Sequence, residues 1–365
     1  METVIDINGF SRVSHRVNHP QFRVEFRLVA NVLIELIVVS VVVLVLAIIL
    51  DIIVGDPSPN SPWASYYKLH PTVLMGNFTK ALERRLKNPK PQREKFNGVL
   101  LGLAVILVFT LPVYFGLWAL YSYLGAVYVW LGIVAYAAVA IILLKFTVCI
   151  KLETDWAKAA AKAIAANDLV EARKYSHFSR RDSSNLTGSQ IGSAVIESMA
   201  ENLIDFKLSP IIFYSFLGVS GAFAFRAVNT LDGMVGFKDK EHINMGWFSA
   251  NLDHVINYIP SRLTGMLIIA AAAILGYDYK NAWRIARRDH AKTPSRNHGW
   301  PMAAMAGALR VQFEKPGQYI LGDSAEVLTS EKILRALRIR DVTIVLCVLL
   351  FLPALFLIRM YVFPF

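Results

Sequence analysis

Cysteine and charge are both scarce in this chain. Its 365 residues include two cysteines, and 18% of them are charged while 55% are hydrophobic. Cys149 and Cys347 lie in or beside apolar runs, and two such cysteines make neither a disulfide framework nor a zinc knuckle. So apolar a composition excludes an ordinary soluble domain.

Acidic residues are the scarcer charged class, with 27 Asp and Glu against 38 Lys and Arg and a net charge of +11. In a nucleic-acid-binding domain such an excess forms a stripe on a soluble face. Here the basic residues lie mostly in loops that flank apolar runs, as the positive-inside rule describes. The charge therefore indicates a membrane protein, with no nucleic acid as partner.

Several common catalytic motifs are missing as well. The sequence has no dinucleotide fingerprint, no nucleophile elbow and no zinc spacing, and Gly188 to Gly192 is not followed by the lysine of a P-loop. The N-terminus shows no signal-peptide pattern, because the first apolar run begins near Leu28 and is too long for that role.

Long apolar runs dominate what is present. About 20 apolar residues cross a bilayer, and the runs that predict spans are 28–50, 98–120, 123–144 and 343–363, with a tight turn at Tyr121-Ser122. The weaker runs 208–225 and 263–277 predict short tilted or re-entrant helices. Residues 151–176 predict a helical hairpin interrupted at Asn167-Asp168. The predicted fold is a single all-α integral membrane domain over 1–365, with four transmembrane helices, two short membrane helices and cytoplasmic helical loops.

Polar residues between positions 197 and 300 stand out from this apolar background. Such groups are costly near hydrocarbon unless they are paired or functional. Glu197, Glu201 and Asp205 are spaced i, i+4, i+8, which places three carboxylates on one helical face. Hard oxygen ligands of this kind suit Mg²⁺ that bridges to substrate phosphates. A solvated acidic face is the alternative interpretation.

Two sets of Arg, Asn and Asp follow. Arg226, Asn229 and Asp232 are spaced i, i+3, i+6 on one helical face, and Asp253 and Asn257 are spaced i, i+4, with Arg262 after Pro260. Arginine offers a planar fork for phosphate or carboxylate. A polar network that holds membrane helices together is the alternative. Several sets so close together favour a binding site.

A basic helix and a loop complete this polar region. Residues 279–289 predict a helix that ends in Arg287, Arg288 and Asp289, and residues 292–301 predict a loop punctuated by Pro and Gly. The N–H groups at the start of the small-residue helix after it suit an anion. Anchoring at the membrane surface is the alternative role for the arginines.

With these residues in view, the chain resembles the adenosylcobinamide-phosphate synthase family of cobalamin biosynthesis, the CobD/CbiB type. The motifs that carry the resemblance are Gly55-Asp56-Pro57, His70-Pro71, Met75-Gly76, Arg181-Asp182, Glu201-Asn202, Asn229-Thr230-Leu231-Asp232, Pro260, Arg288-Asp289, Pro294-Ser295 and Gly299-Trp300-Pro301. Phe206 departs from the pattern, because the family usually has glycine there.

The resemblance implies a membrane ligase that forms an amide from the propionate carboxylate of adenosylcobyric acid and (R)-1-aminopropan-2-ol phosphate or aminopropanol. ATP is the implied cosubstrate, Mg²⁺ the implied metal and adenosylcobinamide phosphate the product. The other implied partner is the lipid bilayer, with self-association or corrinoid-pathway proteins left open.

Roles for individual residues are hypotheses on this basis. The residues expected to hold Mg²⁺ and ATP are Glu197, Glu201, Asp205 and Asp232. Those expected to hold phosphates or the corrin carboxylate are Arg226, Arg262 and Arg288. Asp253 or Asp289 is the expected base for the amine. The further residues expected to bind substrates are Asn202, Asn229, Asn257, Arg287, Asn297 and Trp300.

Because nucleotide is cytoplasmic, we expect a multi-pass protein of the cell membrane whose segment 226–262 and active site face the cytoplasm. A transporter is the main alternative, since broken helices with charged residues suit a transport path. A non-catalytic membrane scaffold of a corrinoid complex is the other.

Overall fold

A computed structural model describes residues 20–58, 64–175 and 184–359 of the chain. The helices are α1 (Pro20–Val54), α2 (Ala64–Tyr67), α3 (Pro71–Leu86), α4 (Pro91–Val127), α5 (Val129–Lys145), α6 (Lys151–Ala165), α7 (Leu169–Arg173), α8 (Gly188–Leu203), α9 (Ser209–Val235), α10 (Trp247–Ile256), α11 (Tyr258–Ile274), α12 (Tyr279–Asp289), α13 (Arg296–Leu309) and α14 (Ser330–Arg359). A π-helical turn, Ile204–Leu208, joins α8 to α9, and a 3-10 turn, His290–Lys292, follows α12. Two short antiparallel strands, β1 (Phe313–Lys315) and β2 (Tyr319–Leu321), form a hairpin.

The described helices confirm an all-α membrane protein. By length and composition, four helical stretches are able to cross a membrane: Ile37–Val54, Pro91–Val127, Gly188–Val235 and Ser330–Ile358. A fifth arises if α10 and α11, which meet at a 45° bend, make one span together. The third of these stretches is mostly buried inside the protein, which explains why its sequence is more polar than the others.

The predicted boundary between the second and third spans was wrong. The helix α4 continues through Tyr121-Ser122 to Val127, and the chain leaves helical geometry at Tyr128. The helix α5 then has 17 residues, so it is shorter than the predicted full span. The backbone of Gly132 packs directly against that of Tyr121. This tertiary contact determines where the two helices cross. The sequence has no polar residue there that would predict the crossing point.

Both weak apolar runs form interrupted helices. Run 208–225 lies mainly in α9, which is kinked at Gly218, where φ is 73° and ψ is −163°. This left-handed conformation is open to glycine at little cost. Run 263–277 lies in α11 and the turn after it, and α11 is separated from α10 by Asn257. Breaks of this kind agree with the expectation that neither run is a simple straight span.

The predicted helical hairpin is present as α6 and α7, in the described part of 151–176. The side chain of Asp168 caps α7 by accepting a hydrogen bond from the Glu171 amide at 3.0 Å. Asn167 before it has φ 57°, a left-handed turn conformation that asparagine tolerates. The Asn-Asp pair therefore breaks the helix as the sequence indicates.

The predicted loop at 292–301 is largely helical, which corrects the sequence interpretation. The helix α13 begins at Arg296, and the Ser295 hydroxyl caps it by accepting from the His298 amide at 3.4 Å. Pro301 lies inside the helix. A Cβ at Gly299 would overlap the carbonyl oxygen of His290. Glycine here marks close packing of α13 on the 3-10 turn and not a turn in the chain.

Candidate active site

A cavity of about 1440 Å³ opens between α3, α6, α8, α9, α10 and the start of α13. Pockets for drug-sized ligands measure roughly 300–1,000 Å³, so this one accommodates a larger substrate or two substrates together. Its charged lining residues are Asp56, Glu153, Glu201, Asp205, Lys207, Arg226, Asp232, Lys238, Asp253, Arg296 and Lys315. Carboxylates and cations thus share one wall.

The structure divides the residues that the sequence predicted for the site. Those that line the cavity are Glu201, Asn202, Asp205, Arg226, Asn229, Asp232, Asp253 and Asn297. Those outside its lining are Glu197, Asn257, Arg262, Arg287, Arg288, Asp289 and Trp300. Helical spacing correctly predicted that Arg226, Asn229 and Asp232 lie together at the cavity. The residues outside the lining support its walls or lie elsewhere.

An ion pair lies in the acidic part of the wall. Asp205 is in the π-helical turn after α8, and its Oδ1 is 3.2 Å from Nε2 of His298 at the start of α13. Burial favours the neutral imidazole, but the charges of Asp205, Glu201 and Asp253 outweigh it and raise the pKa of His298 to about 10. His298 is therefore a cation at neutral pH. Single π turns often occur at functional sites.

Arg226 is buried in the cavity lining and ties α9 to the turn that follows α5. Its Nη2 donates to the Thr147 carbonyl at 2.7 Å and its Nη1 to Oδ1 of Asn229 at 3.2 Å. The guanidinium lies 4.3 Å from the ring centroid of Phe206, the residue that departs from the family pattern. Its Nε has no hydrogen-bond partner among the described residues. A buried N–H left in this way is suited to an acceptor on a ligand.

A second buried network anchors Asn202 and Lys207 at the cavity. Glu153 of α6 accepts from Asn202 Nδ2 at 3.0 Å and lies 2.8 Å from Lys207 Nζ. Arg340 of α14 donates to the same carboxylate at 3.1 Å. Buried ion pairs need such satisfied geometry to offset their desolvation. The network ties the last long apolar helix to the cavity wall.

Asp253 is also positioned by buried amides. Asn257 donates to Asp253 Oδ1 at 3.0 Å, and its own Oδ1 accepts from the Ser209 hydroxyl at 3.0 Å. Asn257 is fully buried and stands at the bend between α10 and α11. The predicted Asp-Asn set is therefore real, with Asn257 orienting Asp253 and not lining the cavity itself.

Arg262 and Trp300 lie outside the cavity lining and contact residues that support it. Arg262 Nη1 donates to Asn297 Oδ1 at 3.3 Å and to the Tyr258 carbonyl at 2.7 Å, and its guanidinium lies over the Tyr258 ring. Asn297, which does line the cavity, donates to the His254 carbonyl at 2.8 Å. Trp300 stacks on His290 with ring centroids 4.1 Å apart. These contacts hold the start of α13 in place.

Glu197 faces the β hairpin and not the cavity. Its carboxylate accepts from the Ser193 hydroxyl and from Tyr319 Oη, the latter at 2.8 Å. The Ser193 oxygen in turn accepts from the Glu314 amide at 3.0 Å. Of the three carboxylates predicted on one face, the structure therefore brings Glu201 and Asp205 to the cavity and uses Glu197 to fix β1 and β2 on α8.

Asp289 belongs to a separate structural cluster. It is fully buried, and it accepts from Arg288 Nε and Nη2, each at 2.7 Å, and from the Gly322 amide at 2.8 Å, with Lys292 Nζ 2.6 Å away. Burial favours the neutral acid, but these donors outweigh it and lower the pKa of Asp289 to about 2. Arg287 lies apart, 5.8 Å from the Trp283 ring.

The sequence interpretation missed several residues of the cavity. His298, His70 and Asp56 all line it. His298 sits in what was predicted to be a loop, where a histidine has no periodic neighbours to reveal a role. Asp56 and His70 belong to motifs that were quoted for the resemblance, and the prolines beside them indicated a rigid turn instead. Their separation in the chain concealed that they meet.

The carboxylates of the cavity suit Mg²⁺ only together with a substrate. In the described ranges, no group of three or more His, Cys, Asp or Glu residues is arranged to hold a metal ion by itself. Magnesium commonly binds through one or two carboxylates together with substrate phosphates. Glu201, Asp205 and Asp232 in the lining fit that mode, whereas Glu197 is engaged elsewhere.

Fold and cavity together define an all-helical membrane protein with a large charged internal site. A family described as "CobD/Cbib protein" matches residues 44–347 of the chain. The chain belongs to this CobD/CbiB family, whose curated members are named for cobalamin biosynthesis. No solved structure matches the chain.

Relatives from distant sources share most of its length. A probable cobalamin biosynthesis protein CobD of Methanothermobacter thermautotrophicus is 39% identical, over 77% of this chain and 89% of the relative. One from Thermoplasma acidophilum is 37% identical, over 70% and 80%. The cobalamin biosynthesis protein CobD of Dehalococcoides mccartyi is 36% identical, over 77% and 86%.

Proposed function

We propose that this chain joins the propionate carboxylate of adenosylcobyric acid to the amine of (R)-1-aminopropan-2-ol phosphate, or of free aminopropanol, at the expense of ATP. The phosphorylated amine gives adenosylcobinamide phosphate. The observation that carries the proposal is the cavity, which is large and lined by both carboxylates and cations. Membership of a family whose curated members are named for cobalamin biosynthesis supports the proposal.

The chemistry requires activation of the acid, because a carboxylate and an ammonium form a salt and not an amide at neutral pH. Transfer of the γ-phosphoryl group of ATP to the carboxylate gives an acyl phosphate and ADP. The amine nitrogen then attacks the acyl carbon, and the C–O bond to phosphate breaks. One proton leaves with phosphate and one goes to a base, so each amide consumes one ATP. Such transfers depend chiefly on positioning and electrostatics.

The residues of the cavity supply this positioning. Glu201, Asp205 and Asp232 would share a magnesium ion with the nucleotide phosphates, and the ion would neutralise phosphoryl charge. Arg226 and His298 contribute positive charge from the same wall, and the unpartnered Nε of Arg226 suits a phosphoryl or carboxylate oxygen. The wall thus offers both signs of charge to the two reacting groups.

The base has to be a carboxylate that reaches the cavity. Asp253 meets this condition, with one oxygen held by Asn257. Asp289 does not, because it lies outside the lining and its carboxylate is engaged by Arg288, Lys292 and the Gly322 amide. Of the two expected bases, Asp253 is the better placed.

The experiment that tests this function is an assay of purified protein with adenosylcobyric acid, ATP and aminopropanol phosphate. Asp232→Ala and Glu201→Ala are expected to abolish corrinoid product while the protein stays folded. Asp155→Ala, an exposed carboxylate on α6, is the matched control and should keep wild-type activity. Full activity in both cavity variants would sink the assignment.

We further propose that the cavity faces the cytoplasm, where ATP is found. Lys240 lies in the exposed segment between α9 and α10, next to the cavity-lining Lys238. A Lys240→Cys protein should therefore resist impermeant thiol reagents added outside intact cells. Labelling from outside would contradict the proposed orientation.

A transporter is the second candidate function. The kink at Gly218 and the 45° bend between α10 and α11 are broken helices of the kind found in transporters. Proteoliposomes that accumulate aminopropanol phosphate without forming ADP would favour transport. ATP-dependent loss of the amine in detergent solution favours the ligase. A non-catalytic scaffold would tolerate Asp232→Ala with unchanged cobinamide production.

A further inference from the structure

Asp56 and His70 belong to two separate motifs and meet at the same cavity. Asp56 follows α1 and His70 precedes α3, and both line the cavity. His70 Nδ1 accepts from the Thr72 amide at 3.3 Å and thereby caps α3. Its Nε2 then carries the proton and lies 3.4 Å from Asp56 Oδ1. The function described above assigns no role to this pair.

Asp56 keeps one carboxylate oxygen for the cavity. Lys145, at the end of α5, donates to the same Oδ1 that His70 approaches. Both contacts fall on Oδ1, so neither of them occupies Oδ2. Burial favours the neutral acid, but His70 and Lys145 outweigh it and lower the pKa of Asp56. An ionised oxygen at the edge of a cavity is therefore left to accept from a ligand.

The surroundings of this oxygen suit a small cation. Lys145 serves two carboxylates, because its Nζ also lies 3.4 Å from Asp51 Oδ1. The aromatic rings of Tyr67 and Phe146 line the cavity nearby, and aromatic faces attract ammonium groups. Arg226, with its unpartnered and buried Nε, is within electrostatic reach of both Asp56 and Asp205.

We propose that Asp56, held by His70 and Lys145, binds the ammonium of the amine substrate, with the anionic end of that substrate directed to Arg226. The inference rests on the proposed ligase function and adds a subsite to it. With this subsite, Asp56 becomes a second candidate, beside Asp253, for the carboxylate nearest the reacting nitrogen. The acidic wall around Asp205 is then left to the nucleotide.

The experiment measures amide formation with varied amine at saturating ATP and adenosylcobyric acid. Asp56→Asn removes the charge at Oδ2 and should raise the KM for the amine by roughly tenfold to a hundredfold, with the KM for ATP unchanged. Asp253→Asn, at the proposed base, should lower kcat more than it changes the amine KM, so the two carboxylates are distinguished by which parameter moves. Asp155→Asn, on an exposed face of α6, is the neutral control.

A second readout separates binding from folding. Hydroxylamine attacks an acyl phosphate to give a hydroxamate and phosphate, so it reports activation of the acid without the amine. Asp56→Asn should still form hydroxamate while amide formation at low amine is lost. Asp56→Glu keeps the charge beside Lys145 but displaces it, and it should also raise the amine KM.

Three outcomes are decisive. An amine KM within about twofold of wild type in Asp56→Asn or Asp56→Glu overturns the subsite. Equal loss of hydroxamate and amide in both variants also overturns it, because Asp56 would then be structural. Wild-type protein that forms neither product overturns the ligase function itself, and this result is distinguishable from failure of the subsite.

Discussion

Two charged regions of this protein look alike in sequence and differ in structure. The cavity wall and the Asp289 cluster (Arg284, Arg288, Asp289, Lys292 and Asp323) both contain arginines beside carboxylates. In the cluster, Asp289 is fully buried and its carboxylate is surrounded by donors from the chain. At the cavity, Arg226 Nε lacks a partner among the described residues, and the contacts of Asp56 with Lys145 and His70 both fall on Oδ1. A charged side chain whose polar atoms are all paired within the protein stabilises the fold. A polar atom left unpaired at a cavity is available to a ligand.

The largest expected effect comes from a comparison of two arginines that were both predicted to bind substrates, Arg226 and Arg287. Arg226→Lys loses the fork that reaches both Thr147 and Asn229, and lysine does not reproduce such geometry. Turnover should fall by about a hundredfold, the cost of one lost oriented donor. Arg287 lies outside the cavity lining and 5.8 Å from the exposed Trp283 ring, so Arg287→Lys should leave turnover unchanged. Equal losses of turnover in both variants would contradict the proposal that Arg226 serves the site and Arg287 does not.

Asp289→Asn should act on stability and not on chemistry. The change leaves Arg288, Lys292 and the Gly322 amide short of an acceptor, which we expect to cost about 1–3 kcal/mol. Asp323→Asn, at an exposed carboxylate that pairs with Arg284 and Arg288, should cost under about 1 kcal/mol. Thermal unfolding in detergent measures both. A folded Asp289→Asn protein with lost turnover would place Asp289 in the catalytic machinery after all.

Gly299→Ala tests the packing contact between the start of α13, which lines the cavity, and the 3-10 turn beside the Asp289 cluster. An added Cβ overlaps the His290 carbonyl beside the Asp289 cluster, so the start of α13 has to shift. We expect destabilisation of about 1–3 kcal/mol, as for overpacked sites, and reduced turnover, because Asn297 and His298 line the cavity from the same turn. Gly276→Ala, where the space is open but φ is +71°, controls for backbone strain. Unchanged turnover in Gly299→Ala would show that the position of α13 does not affect the reaction.

The smallest expected effect is a pH dependence of the stability difference between wild type and Asp289→Asn. The pKa of Asp289 is lowered from 3.8 to about 2 in the folded protein. A depressed carboxyl pKa stabilises the fold above the unfolded value and loses this contribution as pH falls through the folded one. The difference in Tm should therefore be constant above about pH 5 and shrink towards pH 2. A difference that grows on acidification would contradict the pairing of Asp289.

Much of the fold was predictable because hydrophobic length and helical spacing are local properties. The runs 28–50 and 98–120 fall within α1 and α4, and the described part of 343–363 falls within α14. The hairpin broken at Asn167-Asp168 is α6 and α7. The break at Tyr128 and the helical start at Arg296 were not predictable in the same way. The first depends on Gly132 meeting another helix, and the second on Ser295 capping a helix that packs on its own preceding turn.

The site was predictable only where its residues share a helix. Arg226, Asn229 and Asp232 recur at helical spacing on α9, and the structure places all three at the cavity. Glu197 has the same spacing relative to Glu201, but Tyr319 engages it from a distant hairpin. The pairs Asp56 with His70 and Asp205 with His298 join separate elements, so no periodicity reveals them.

The sequence by itself determined the class of protein, its membrane character and the family, because composition, apolar length and ordered motifs do not depend on how helices pack. The tertiary structure decided which charged residues serve a site. A carboxylate beside an arginine has the same local chemistry in both regions, and only packing determines whether all its lone pairs are taken. Asp289 is enclosed by partners, whereas Asp56 keeps an oxygen at the cavity. That distinction arises from contacts between residues far apart in the chain.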